Sequence, residues 1–135
     1  MEKSKDEMCI NLKYDDNMDA ECVGLCDMIN SLDGCETFES CCGHGVRPYS
    51  IYFFCDSHYS LAVLARSVDR RYLNSWTQWI ITLETTENSD REQYCYRLSS
   101  KSIYCSEDIM REDLNRIIKN IEYWSRPEFY RHFKR

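Results

Sequence analysis

The chain has 135 residues, 43% of them hydrophobic, 30% charged and 13% aromatic, a balance that fits one globular domain and excludes a disordered chain. Its net charge of −6 excludes tight, sequence-independent binding to long nucleic acid, which needs many Lys and Arg contacts to phosphate. No window approaches the roughly 20 apolar residues of a membrane span, and the opening residues MEKSKDEMCINLKYDDN carry no apolar signal region, so the reading is a cytoplasmic protein without a membrane partner. Nine cysteines, odd in number and with no export signal before them, read as mostly reduced, buried thiols.

Residues 1–16 read as a flexible segment, 17–126 as one domain and 127–135 as a basic, aromatic tail. The first helix is expected from Met18 to Leu32, with Met18, Cys22, Leu25, Ile29 and Leu32 on one stripe, Asn17 as its N-cap and Asp33-Gly34 as its stop. A short strand from Cys35 to Ser40 leads into the loop SCCGHGVR, and YSIYFFCDS then reads as a strand buried on both faces or nearly so. Ser57 or Ser60 caps a second helix whose Leu61, Leu64, Ala65, Val68 and Tyr72 form the expected core stripe. TQWIITLETT and QYCYRL, joined by the polar turn ENSDRE, alternate as a hairpin that places Trp79, Ile81 and Leu83 on one face and Tyr94, Tyr96 and Leu98 on one face. Ser106, followed by Glu107 and Asp108, opens a third helix with Met110, Leu114, Ile117, Ile121 and Trp124 inward, and Pro127 stops it. The order α-β-β-α-β-β-α predicts an α+β domain with an antiparallel or mixed sheet of about four strands and helices packed on one side.

The loop from Ser40 to Arg47 admits four readings. A nucleophilic cysteine needs a cation or base to form its thiolate, for which His44 and Arg47 stand nearby. Zinc would draw on Cys35, Cys41, Cys42, His44 and Cys55, but no C-x-x-C occurs and the spacing fits no common finger or ribbon, so no metal is assigned. An anion-binding turn needs glycines that expose backbone N–H groups and a side-chain donor, which Gly43, Gly45, His44 and Arg47 supply, while Tyr49 and Tyr52 offer rings for a base to stack on. A tight strand-to-strand corner with buried thiols is the fourth.

The segment Thr37-Phe38-Glu39-Ser40-Cys41-Cys42-Gly43-His44 resembles the T-x-x-S-C-x-G-R segment of the tRNA wybutosine-synthesising methyltransferase family, and also small bacterial and phage proteins in which the pattern ends in histidine. The resemblance implies a site that uses S-adenosylmethionine and a guanosine-derived base, with Ser40, Cys41 and Gly43 in it and His44 where that family has arginine.

The leading expectation is a small protein that binds an anionic or nucleotide-like molecule through Ser40, Cys41, Gly43, His44, Gly45, Arg47, Tyr49 and Tyr52, with no reaction identified and no resident cofactor. One alternative is an S-adenosylmethionine-dependent, methyltransferase-like enzyme. The other is a self-assembling interaction protein of phage or prophage type, which would be a homo-oligomer.

Overall fold

Each expected element forms, in the expected order. The computed structural model describes residues 19–84 and 94–129. They form α1 (Ala20–Asn30), β1 (Cys35–Cys41), β2 (Ser50–Cys55), α2 (His58–Ser67), β3 (Trp79–Glu84), β4 (Tyr94–Ser100) and α3 (Glu107–Trp124), followed by one 3-10 turn (Pro127–Phe129). The segment 1–16, the Asn17 cap, Met18, the turn ENSDRE and the tail beyond Phe129 lie outside the described residues. Among the described residues, no helix is long and apolar enough to cross a membrane.

The four strands make one sheet in the order β1-β2-β4-β3, and every neighbouring pair is antiparallel. The helices cover one face. Leu25 and Ile29 of α1, Val63 and Leu64 of α2, and Leu114, Ile117 and Ile121 of α3 pack against Ile51, Phe53, Trp79 and Leu98 of the sheet in one hydrophobic cluster. Alternation along a strand sends every second side chain to the opposite face, which no helix among the described residues covers. There, Phe38 stacks on Phe54 at 4.5 Å between centroids and buries it, while Ser50 and Tyr52 of β2 on the same face stay half-buried.

Three details depart from the periodicity. α1 begins at Ala20 with Asp19 in the cap position, yet the Asp19 side chain caps nothing in the helix. On α2 the buried face is Ser60, Val63, Leu64 and Ser67, while Ala65 is exposed and Tyr72, past the helix end, is 40% exposed. An apolar pattern cannot find that face because the two serines bury their hydroxyls by donating to backbone carbonyls: Ser60 to Asp33 at 2.6 Å and Ser67 to Val63 at 2.7 Å. At the outer end of the hairpin, Leu83 and Tyr94 are each 62% exposed. Caps at the other helices follow expectation, with the Ser57 hydroxyl accepting from the Ser60 N–H and the Ser106 hydroxyl from the Ile109 N–H.

A polar chain crosses the core beneath β3. Trp79 Nε1 donates to the Tyr104 hydroxyl at 2.9 Å, and Tyr104 donates to Asp113 Oδ2 at 2.6 Å. The backbone N–H of Trp76 also donates to the Asp113 carboxylate, at 3.0 and 3.1 Å to its two oxygens. Asp113 is fully buried, and these bonds tie α3 to the two segments that enter and leave the hairpin.

Buried thiols and phenols set the response to alkali. Burial pushes the Cys26 thiol up to about 12 and the Cys22 thiol above it, and it holds the Tyr49 and Tyr104 phenols well above their usual value. A thiol in an unfolded chain titrates near about 8.5. The folded state therefore binds these protons more tightly than the unfolded state. The resulting stability is complete below about pH 8.5 and declines as pH rises toward the folded values, by about 1.4 kcal/mol per unit for each titrating group. Urea unfolding midpoints should fall above about pH 8.5, and Cys26→Ala should make that fall shallower; a level curve from there to about pH 11 would contradict this account.

Candidate functional site

The loop between β1 and β2 is built around three consecutive residues with positive φ: Gly43 at 90°, His44 at 51° and Gly45 at 77°. Backbone of this kind favours glycine. The Val46 and Arg47 N–H groups both donate to the Gly43 carbonyl, at 2.9 and 3.1 Å, which closes the turn on itself. A Cβ on Gly43 would collide with the Arg47 carbonyl oxygen, whereas a Cβ on Gly45 would meet nothing within 4 Å.

His44 is thereby carried over the start of α1. Its Nε2 lies 3.2 Å from Asp19 Oδ2, its Nδ1 lies 3.6 Å from Cys42 Sγ, and the Cys42 N–H donates to Asp19 Oδ2 at 3.2 Å. The negative group against this loop is therefore the protein's own Asp19 carboxylate, 5% exposed. Of the loop's N–H groups, that of Cys42 is engaged by Asp19, that of Gly43 donates to Cys41 Sγ at 3.3 Å, and those of Val46 and Arg47 close the turn. These four N–H groups are engaged within the protein.

The same geometry weighs against a nucleophilic Cys42. Burial, helped by the Asp19 charge, pushes its thiol up to about 12, so at neutral pH it holds its proton despite the nearby imidazole. The five side chains weighed as zinc ligands separate into two groups. Cys35 and Cys55 face each other across β1 and β2, with their sulfurs 3.4 Å apart, while Cys41, Cys42 and His44 lie at the other end of β1, about 20 Å along the strand. Within the far pair, hydrogen bonding from Cys35 lowers the Cys55 thiol to about 7 and raises that of Cys35.

The remaining expected site residues divide between the two faces of the sheet. Ser40 is buried beside the Cys22 and Cys26 thiols of α1. Tyr49 is fully buried, packs on Trp79 at 5.2 Å between centroids and donates its hydroxyl to the Glu21 carbonyl at 3.0 Å, so it has no face left for a ligand. Cys41, Arg47 and Tyr52 do come together, on the sheet face opposite the described helices.

That face holds a groove of about 650 Å³ lined by Cys41, Arg47, Tyr52, Arg97, Lys101 and neighbouring polar residues. Strand register explains its composition. Glu39, Tyr52, Arg97 and Thr82 follow one another across the four strands as one row, and Cys41, Ser50, Ser99 and Ile80 as the next. Arg97 is held at the groove wall by Glu84, whose Oε1 lies 3.1 Å from its Nε, and Thr82 donates to the same oxygen at 3.0 Å. Three cationic side chains, against the Glu39 carboxylate in the lining and the Glu84 carboxylate paired with Arg97, leave this groove with an excess of positive charge in an acidic protein.

Sequence reasoning missed Asp19, which looks like an ordinary helix cap. It also missed Arg97 and Lys101, because nothing in the order of residues says that β4 pairs with β2. Comparison of this chain with family models, with curated proteins and with solved structures returns no match.

Proposed function

We propose that this protein binds a small anionic or nucleotide-like molecule, and that the binding place is the groove on the open sheet face rather than the turn of the glycine loop. Arg47, Arg97 and Lys101 take the negative charge, the Ser50 and Ser99 hydroxyls supply hydrogen bonds, and Tyr52 offers the ring on which a base stacks. The observation that carries this reading is the meeting of three cations and an aromatic ring in one groove of ligand size.

Titration calorimetry with adenosine monophosphate and with inorganic phosphate tests it. A charge-assisted hydrogen bond is worth about 1.5–3 kcal/mol, so Arg47→Ala and Arg97→Gln should each weaken nucleotide binding about tenfold or more. Tyr52→Leu should weaken the nucleotide and leave inorganic phosphate unchanged. Nucleotide affinity that neither arginine variant alters would remove the groove as the site. S-adenosylmethionine belongs in the same series: tight binding that the arginine variants leave intact would favour the methyltransferase-like alternative.

A further inference from the structure

We propose that Asp19, Cys41 and His44 form a site for one divalent metal ion of the zinc class, separate from the anion groove and sharing only Cys41 with it. The Asp19 carboxylate, the Cys41 sulfur and a ring nitrogen of His44 all lie within 4.8 Å of one another. Bonds of about 2.0–2.3 Å place the ligand atoms of a tetrahedral zinc site about 3.3–3.8 Å apart. The Asp19 to His44 edge, at 3.2 Å, is already near that spacing, and an edge to the sulfur, about 3.5 Å in a tetrahedral site, needs to contract by no more than about 1.3 Å from the 4.8 Å bound. One sulfur, one imidazole nitrogen and one carboxylate oxygen suit zinc, whereas magnesium and calcium prefer oxygen alone.

Each ligand is held in the way a metal site requires. Asp19 stands in the cap position of α1 without capping it, and its Oδ2 instead accepts from the Cys42 N–H. Cys41 Sγ accepts from the Gly43 N–H, a donor that stabilises a thiolate ligand. His44 Nδ1 lies 3.6 Å from the Cys42 sulfur, and Nε2 is the ring nitrogen that faces the Asp19 carboxylate, at 3.2 Å. The positive φ of His44 is a backbone cost, and it is what brings the ring to Asp19. Asp19 and His44 also line a cavity of about 570 Å³ with Glu21, Tyr104 and Glu107. Two of the three protein ligands face this open cavity, which leaves a fourth position for water or a small ligand, the arrangement of catalytic rather than structural zinc.

Cobalt(II) is the probe, because a bound thiolate gives it an intense charge-transfer absorption. Titration of the full chain with cobalt(II) should give this band with a one-to-one endpoint, and zinc should abolish it by displacement. Cys41→Ser should remove the band, Asp19→Asn should weaken cobalt affinity at least tenfold, and Cys55→Ser, on β2 opposite the far end of β1, should leave both unchanged. Absence of the band at millimolar cobalt would overturn the proposal. So would a band that persists in Cys41→Ser or is lost in Cys55→Ser, since the metal would then sit on the Cys35 and Cys55 pair.

Discussion

Asp113→Ala is expected to lower folding stability by about 3–5 kcal/mol, the largest effect of any single polar substitution in this fold. The carboxylate is fully buried and accepts from the Tyr104 hydroxyl and the Trp76 backbone N–H; Arg116, four-tenths or more exposed, reaches it only at 3.5 Å. Removing it strands the buried Tyr104 hydroxyl, at a cost of about 1–3 kcal/mol when unsatisfied, deprives the part-buried Trp76 N–H of its acceptor and leaves a cavity in the core. Tyr104→Phe keeps the ring and loses only the bridging hydroxyl, so about 1–3 kcal/mol is expected. Urea denaturation of the two variants gives both numbers. A loss below about 1 kcal/mol for Asp113→Ala would mean that water replaces the carboxylate and that the chain from Trp79 to Asp113 is not a tie between α3 and the hairpin.

The second large effect is expected at Gly43, and it comes with an internal comparison. Gly43 and Gly45 both hold positive φ, so a side chain at either costs about 1–2 kcal/mol from backbone conformation alone. Only Gly43 adds a collision, with the Arg47 carbonyl at the point where the turn closes. Gly43→Ala should therefore cost about 2–4 kcal/mol and displace His44 from Asp19, while Gly45→Ala should cost about 1 kcal/mol and leave the His44 ring in place. Unfolding midpoints measure the first difference. The imidazole proton resonances of His44, compared with and without the Asp19 partner through Asp19→Asn, measure the second. Equal losses at the two glycines would show that the turn relaxes around a Cβ and does not fix the histidine.

Element types and order were legible in the residues. Periodicity placed α3 through Met110, Leu114, Ile117 and Ile121, all of which are buried, and alternation placed the strands, because these signals are local: a side chain's face follows from its neighbours three, four or two positions away. Capping was legible at Ser57 and Ser106 for the same reason. On α2 the pattern found Leu61, Leu64 and Val68 but added Ala65 and Tyr72 and missed Ser60 and Ser67, whose hydroxyls are buried through hydrogen bonds to backbone carbonyls.

The composition of the loop marked SCCGHGVR as a place of unusual backbone, and its three successive positive φ values agree. What that backbone serves was decided by partners distant in sequence. Asp19 reaches His44 because α1 packs along β1, and Arg97 and Lys101 reach Tyr52 and Arg47 because β4, not β3, lies next to β2. Local preferences fix which elements form. The choice of neighbouring strand depends on how the whole apolar surface is best buried, a free energy spread over many distant contacts that no short window of sequence contains.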